Sequence, residues 1–206
     1  MRGPKRDVDI PALLRHRSRN RMFGFGAIVL LLLSVLLDRF GTFGYQGDDW
    51  QRFDKQTVTV VHVADGDTLT IRDGGSGETK VRLIGVDTPE LGDSAHWSTQ
   101  AHAYTRGRLA DRQVTVKLDG TQTRDRYGRL LAYLYVTDGD NFNLDLVRDG
   151  QAYAERRHGH LLRSQFESAE AEARKKGRGL WKDVRDDQQP QWRRDWLDRR
   201  RWRSTD

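Results

Sequence analysis

The chain contains no cysteine, which excludes disulfides, thiolate–zinc sites and oxidation through thiols. It also lacks any paired-histidine spacing that would support zinc. No internal repeat is found. An excess of one charge is missing from the part where a polyanion-binding domain would show it. The net charge is +6, but residues 1–21 carry seven Arg/Lys against two Asp, and residues 186–206 carry six against five. The 164 residues between them hold 23 charges of each sign. Affinity of this central part for a polyanion must therefore come from the placement of particular arginines. The absence of cysteine leaves the compartment open. A length of 206 residues suits one domain with its own core and some attachments.

Long apolar runs are equally scarce, and the one present is informative. Residues 22–37, MFGFGAIVLLLLSVLL, are 16 positions without a charge, with Ser34 as the only polar side chain. A helix there spans about 24 Å at ~1.5 Å per residue, against ~30 Å of bilayer hydrocarbon. Arg21 and Arg39 can snorkel outward and Phe40 extends the apolar end, so the segment is expected to span the membrane over 22–40 as an uncleaved anchor. The alternative is a cleaved signal peptide, although no A-x-A pattern follows Leu37. Arginines at 15, 17, 19 and 21 predict a cytoplasmic N-terminus over 1–21 and a remainder outside the cytoplasm. Residues 41–56, with glycines and aspartates, read as a linker.

From Thr57 the pattern changes to β. Strands are predicted at about 57–64, 67–73 and 79–86, with a glycine turn at 73–77 joining the last two as a hairpin. A helix over 94–110, capped by Ser94, precedes further strands at 113–118 and 129–136. A short helix at 143–149 ends at Gly150. Leu162, Phe166, Ala169 and Ala173 then follow helical spacing up to Gly177. Five strands with a helix between the third and fourth is the plan of an OB barrel, an α+β fold.

Two carboxylate clusters carry the chemistry. ADGDT at 64–68 sets Asp65 and Asp67 around a glycine, which by itself reads as an Asx or hairpin turn. VRLIGVDTPE at 81–90 ends the third strand in Asp87, Thr88, Pro89 and Glu90. If that strand pairs with the one starting at Asp67, ~4.8 Å away, the two carboxylates can converge on a hard cation such as Ca²⁺ or Mg²⁺. Arg82 sits inside this otherwise apolar strand, on the face of Ile84 and Val86, and a guanidinium there needs an acidic partner or an anionic ligand. DRYGR at 125–129 brings Arg129 to the start of another strand. Two arginine forks beside paired carboxylates suit a phosphate.

ADGDT, VRLIGVDTPE and DRYGRLLAYLY, in that order, resemble the staphylococcal nuclease (thermonuclease) family, and VRDGQAYAE and SAEAEARKKGRGLW resemble its C-terminal segments. The resemblance covers about 57–182. It implies an OB barrel with about three helices, preceded here by the transmembrane segment, and a Ca²⁺-dependent phosphodiesterase acting on DNA and RNA as a monomer. It further implies calcium ligation by Asp67, Asp87 and the Thr88 carbonyl, with Asp65 behind them. Arg82 and Arg129 would bind the scissile phosphate, Glu90 would serve the attacking water, and Arg126 and Tyr127 would contact a neighbouring phosphate. Products would carry 3′-phosphates. A non-catalytic nucleic-acid or protein binding module of the same fold is the alternative.

Two departures from the family pattern stand out. Arg156 and His158 occupy positions where the family has base-stacking tyrosines, with His158 and His160 expected as solvated loop residues. The segment after Glu90 is also short. The tail over 183–206 holds Trp192, Trp196 and Trp202 among arginines, and reads as a frayed end or as a surface for membrane or nucleic acid.

Overall fold

Strict alternation of apolar and polar side chains builds the barrel. In the computed structural model, residues 49–203 are described apart from 76, 93, 94, 121, 137 and 138. Strand β1 (Thr57–Val63) buries Val58, Val60 and Val63, and β2 (Thr68–Arg72) buries Leu69 and Ile71. A register shift between Val60 and His62 turns Val63 back to the interior. Strand β3 (Glu78–Leu83) adds Val81 and Leu83. The barrel closes in the order β1-β2-β3-β6-β5, with β5 (Gln113–Leu118) and β6 (Leu130–Tyr135) supplying Val114, Val116, Leu118, Leu130, Ala132 and Leu134 to the core. Only the β3–β6 contact is parallel; β5 returns to β1 antiparallel, and no barrel edge is left open. The expected five-stranded OB barrel is present.

The strand expected over 79–86 is instead two pieces. β3 stops at Leu83, the chain turns through Gly85 at φ +77°, and a separate two-residue strand β4 (Val86–Asp87) pairs with β7 (Tyr153–Ala154). A side chain at Gly85 would lie 2.7 Å from the His160 ring, so both the left-handed turn and the close approach need glycine. The break also moves Val86 off the Arg82 face and into the core. Asp87 is thus delivered by β4, not by the end of β3.

Helix α2 (Ser98–Leu109) follows Trp97, which has φ 71° and gives no side-chain cap; the expected cap Ser94 lies outside the described residues. Trp97 is held from its other end, its indole N–H donating to Gln151 at 2.8 Å. Helix α3 (Phe142–Arg148) is capped by the Asn141 side chain, which accepts from the Leu144 N–H, and Gly150 takes a positive φ after it. Helix α4 (Arg163–Lys175) buries Phe166 and Ala173 as their spacing predicts, together with Glu170.

Two further helices extend the domain at its ends. Helix α1 (Asp49–Phe53) falls within the expected linker, yet Phe53 is fully buried in the core, a contribution of about 1.5–3 kcal/mol. Asp49 beside it pairs with Arg124 at 2.7 Å and accepts from Thr123. At the other end, residues read as a frayed end or as a surface for membrane or nucleic acid form α5 (Gln191–Arg203), anchored by Arg193, a fully buried arginine. The basic N-terminus and the apolar segment 22–37 lie outside the described residues. Among the described residues no helix is long and apolar enough to cross a membrane.

Candidate active site

The loop between β1 and β2 is shaped by its own first carboxylate. Asp65 Oδ1 accepts from the backbone N–H groups of Asp67 and Thr68 at 2.9 and 2.6 Å, closing an Asx turn. Gly66 allows the turn to lie against Thr88, since a Cβ there would meet the Thr88 side chain at 2.6 Å. Asp67, only 3% exposed, is aimed inward, and its Oδ2 accepts from both the N–H and the hydroxyl of Thr88 at 2.7 and 2.9 Å. The turn reading of this loop holds, and the turn is what presents Asp67.

Arg82 joins the two clusters. Its guanidinium pairs with Asp67 Oδ1 through one nitrogen and with Asp87 Oδ1 through another, the latter at 2.9 Å. The carboxylates therefore converge, as expected, but by a different route. Asp67 lies across from Leu83, whose N–H its carbonyl accepts at 2.9 Å, and Asp87 arrives from β4. Burial works against the charge on Arg82, yet the charges of Asp67 and Asp87 hold its pKa above the ordinary value.

Arg129 stands on the adjacent strand's approach. Its Nε donates to Asp125 at 2.7 Å and Nη1 reaches the Thr68 hydroxyl at 3.4 Å; that hydroxyl donates to Asp67 Oδ1 at 3.2 Å. A continuous polar chain thus links the two arginines through Thr68 and Asp67. Tyr127 is 68% exposed at the tip of the turn, with the Arg126 and Arg129 guanidiniums 4.8 and 5.5 Å from its ring. Arg126 also donates to its hydroxyl at 2.7 Å. These two residues reach the site only through Arg129, as an outlying platform.

The balance of charge is acidic. Burial first, then the charge of Asp67, pushes the Asp65 carboxyl above its usual range. Burial raises Asp87 as well, with Asp67 adding to it against the pull of Arg82. Glu90 is exposed at the rim, and desolvation followed by the charges of Asp67 and Asp65 pushes it up too. Among the described residues no three acidic or histidine side chains form a metal cluster by themselves. The pair Asp67 and Asp87, with the Thr88 backbone beside them, nevertheless fits a hard cation. All their donors are oxygens, and both carboxylates already share one cation in Arg82.

Three contributors were not anticipated from the sequence. Thr68 bridges as described. Arg157 reaches Asp87 Oδ1 at 3.0 Å, and Trp192 of α5 donates its indole N–H to Asp87 Oδ2 at 2.7 Å. Arg156 is not available for stacking on a base: it is buried, paired with Glu170 at 2.9 Å and covered by the Trp196 ring at 4.1 Å. His158 is exposed as expected. His160 is not a solvated loop residue; it packs against Phe166, and its Nδ1 lies 2.9 Å from the Tyr133 hydroxyl.

The staphylococcal nuclease homologue family model matches residues 80–183, half of the chain, including Arg82, Asp87, Glu90 and Arg129. The chain belongs to this family. Its relatives include a thermonuclease of Staphylococcus hyicus, 30% identical over 160 residues, covering 75% of this chain and 92% of the relative. An uncharacterized endonuclease of Haemophilus influenzae is 34% identical over 141 residues, 68% of this chain and 75% of that one. A micrococcal nuclease of Shigella flexneri is 33% identical over 144 residues, 66% and 79% of the two chains. Helix α5 begins after the matched residues end.

Proposed function

We propose that this member of the staphylococcal nuclease family is a calcium-dependent endonuclease, a phosphodiesterase that hydrolyses DNA and RNA and leaves 3′-phosphorylated products. The observation that carries the reading is the convergence of Asp67 Oδ1 and Asp87 Oδ1 on one guanidinium, with Arg129 tied to the same carboxylate through Thr68. The relatives' names, thermonuclease and micrococcal nuclease, support the reaction class.

In this reading Asp67, Asp87 and the Thr88 carbonyl hold calcium, with Asp65 fixing the loop behind them. Bound calcium would supply a Lewis acid for a phosphoryl oxygen and a template for the attacking water. Arg82 and Arg129 present planar forks to the scissile phosphate and meet the charge that grows on its oxygens during displacement. Glu90, exposed at the rim with its proton affinity raised, orients and deprotonates water. Arg126 and Tyr127 contact the neighbouring phosphate. A non-catalytic binding module has no need of this complete set, which favours the enzyme. We further propose that residues 22–40 anchor the protein in a membrane with the nuclease domain outside the cytoplasm, or are cleaved to release it, and that the domain acts as a monomer.

Digestion of single- and double-stranded DNA and of RNA by the full chain, with calcium titrated from excess chelator, tests the reading. Turnover should vanish in chelator, return with calcium and return little with magnesium, because a flexible oxygen set suits the larger ion. Full turnover in chelator overturns the metal assignment.

A further inference from the structure

Helix α5 lies beyond the residues that the family model matches, yet it is built into the domain. Arg193 secures it, with Nη1 on Glu170 at 2.7 Å, Nε on Gln189 at 2.8 Å, and the guanidinium near the rings of Tyr153 and Trp181 at 5.2 and 5.0 Å. Trp196 adds its contact with Arg156. Held at these two points, the helix has little freedom, and Trp192 at its start meets Asp87 across 105 positions of sequence.

The two oxygens of Asp87 have divided partners. Oδ1 faces Arg82, as Asp67 Oδ1 does, and also accepts from Arg157; Oδ2 accepts from Trp192. An indole N–H is a donor only, so it can neither ligate a cation nor take a proton. Toward a carboxylate it donates a hydrogen bond, which fixes that oxygen in place and favours its charged form. Arg157, 5.0 Å from the Trp192 ring, steadies the indole from its face.

We infer that Trp192 is a positioning residue for cation binding: it clamps Asp87 Oδ2 so that Oδ1 stays turned to the point it shares with Asp67. The inference rests on the calcium reading of the site. Asp87 is otherwise carried on a two-residue strand, a short support for a side chain that must hold its direction. Removal of such an outer hydrogen-bond partner typically weakens metal binding ~10–100-fold.

The test uses the full chain and calcium chloride alone, titrated by calorimetry without nucleic acid. Trp192→Phe keeps an aromatic face for Arg157 while removing the N–H together with part of the ring. Its calcium dissociation constant should rise about tenfold or more, while its KM for DNA at saturating calcium stays at the wild-type value. Trp196→Phe, which touches no carboxylate of the site, should leave calcium affinity unchanged and so controls for packing of the helix. Wild-type chain that binds no calcium overturns both the calcium reading and this inference. Calcium binding by wild type with equal or tighter binding by Trp192→Phe overturns this inference alone. So does a raised KM at saturating calcium with affinity unchanged, which would make Trp192 a surface for the nucleic acid.

Discussion

At the scale of single residues, Arg82 does two jobs that most substitutions cannot separate. It is the cation that reconciles Asp67 with Asp87, and in the proposed reaction it grips phosphate. Lysine retains the charge but not the fork. Arg82→Lys and Arg129→Lys should each lower kcat by ~10²–10³-fold, measured at saturating calcium. If Arg82→Lys instead keeps its rate and only melts earlier, the arginine is a structural partner of the carboxylates. Gly66 is the second sensitive position. Gly66→Ala puts a methyl group 2.6 Å from the Thr88 side chain and must displace the residue that donates twice to Asp67. Overpacking of this kind costs about 1–3 kcal/mol, so chemical denaturation should show that loss together with weakened activity. Arg82 was legible as a candidate because it interrupts an apolar strand, whereas Asp65 and Asp67 fit an ordinary turn and drew attention only beside Asp87, Arg129 and the family resemblance. Their mutual arrangement was not legible, because it depends on strands that meet only in the closed barrel.

Among the elements, α4 and α5 form a contrasting pair. The α4 pattern was readable, since Phe166 and Ala173 recur at helical spacing and bury one face. The α5 pattern is dominated by arginine, and what it buries is Arg193 itself, whose charge is compensated by Glu170 2.7 Å away. Burial pulls the Arg193 pKa below its ordinary value against that pairing. Hydrophobic periodicity has no way to announce such an anchor. Breaking a buried pair leaves a charge without compensation and costs about 3–5 kcal/mol. Arg193→Ala should fall at the low end, since Glu170 retains Arg156. Thermal unfolding of the variant, with circular dichroism following helix content, checks this; an unchanged melting temperature would show that α5 is not held by the pair.

For the whole molecule, acidity should loosen the fold in two stages. The Tyr133 hydroxyl donates to Asp119, so its oxygen accepts from His160 Nδ1–H, and the remaining ring nitrogen is buried without a hydrogen-bond partner. Burial, helped by the charge of Arg163, pushes His160 below its ordinary 6.5, although Asp119 and Glu155 pull the other way. A depressed histidine favours folding while neutral, and that stability declines as pH falls through 6.5, where the unfolded chain protonates first. Glu155 is lowered against the effect of burial by its bonds to Arg157, so its contribution is present above 4.5 and is lost on further acidification. Melting temperatures of wild type should drop between pH 7 and 5.5, and His160→Gln should flatten that part of the profile. By itself the sequence determined the barrel strands, the α4 face, the absence of thiol and thiolate–zinc chemistry, and the residue types of the site. These follow from side-chain alternation and turn chemistry, which act over a few residues. Only the tertiary structure decided that Asp87 rides on a separate strand, that α1 and α5 belong to the domain, and that Trp192 touches Asp87. Those outcomes depend on which buried surfaces and charges meet after the barrel closes, and pairings between positions 105 residues apart leave no periodic trace in the chain.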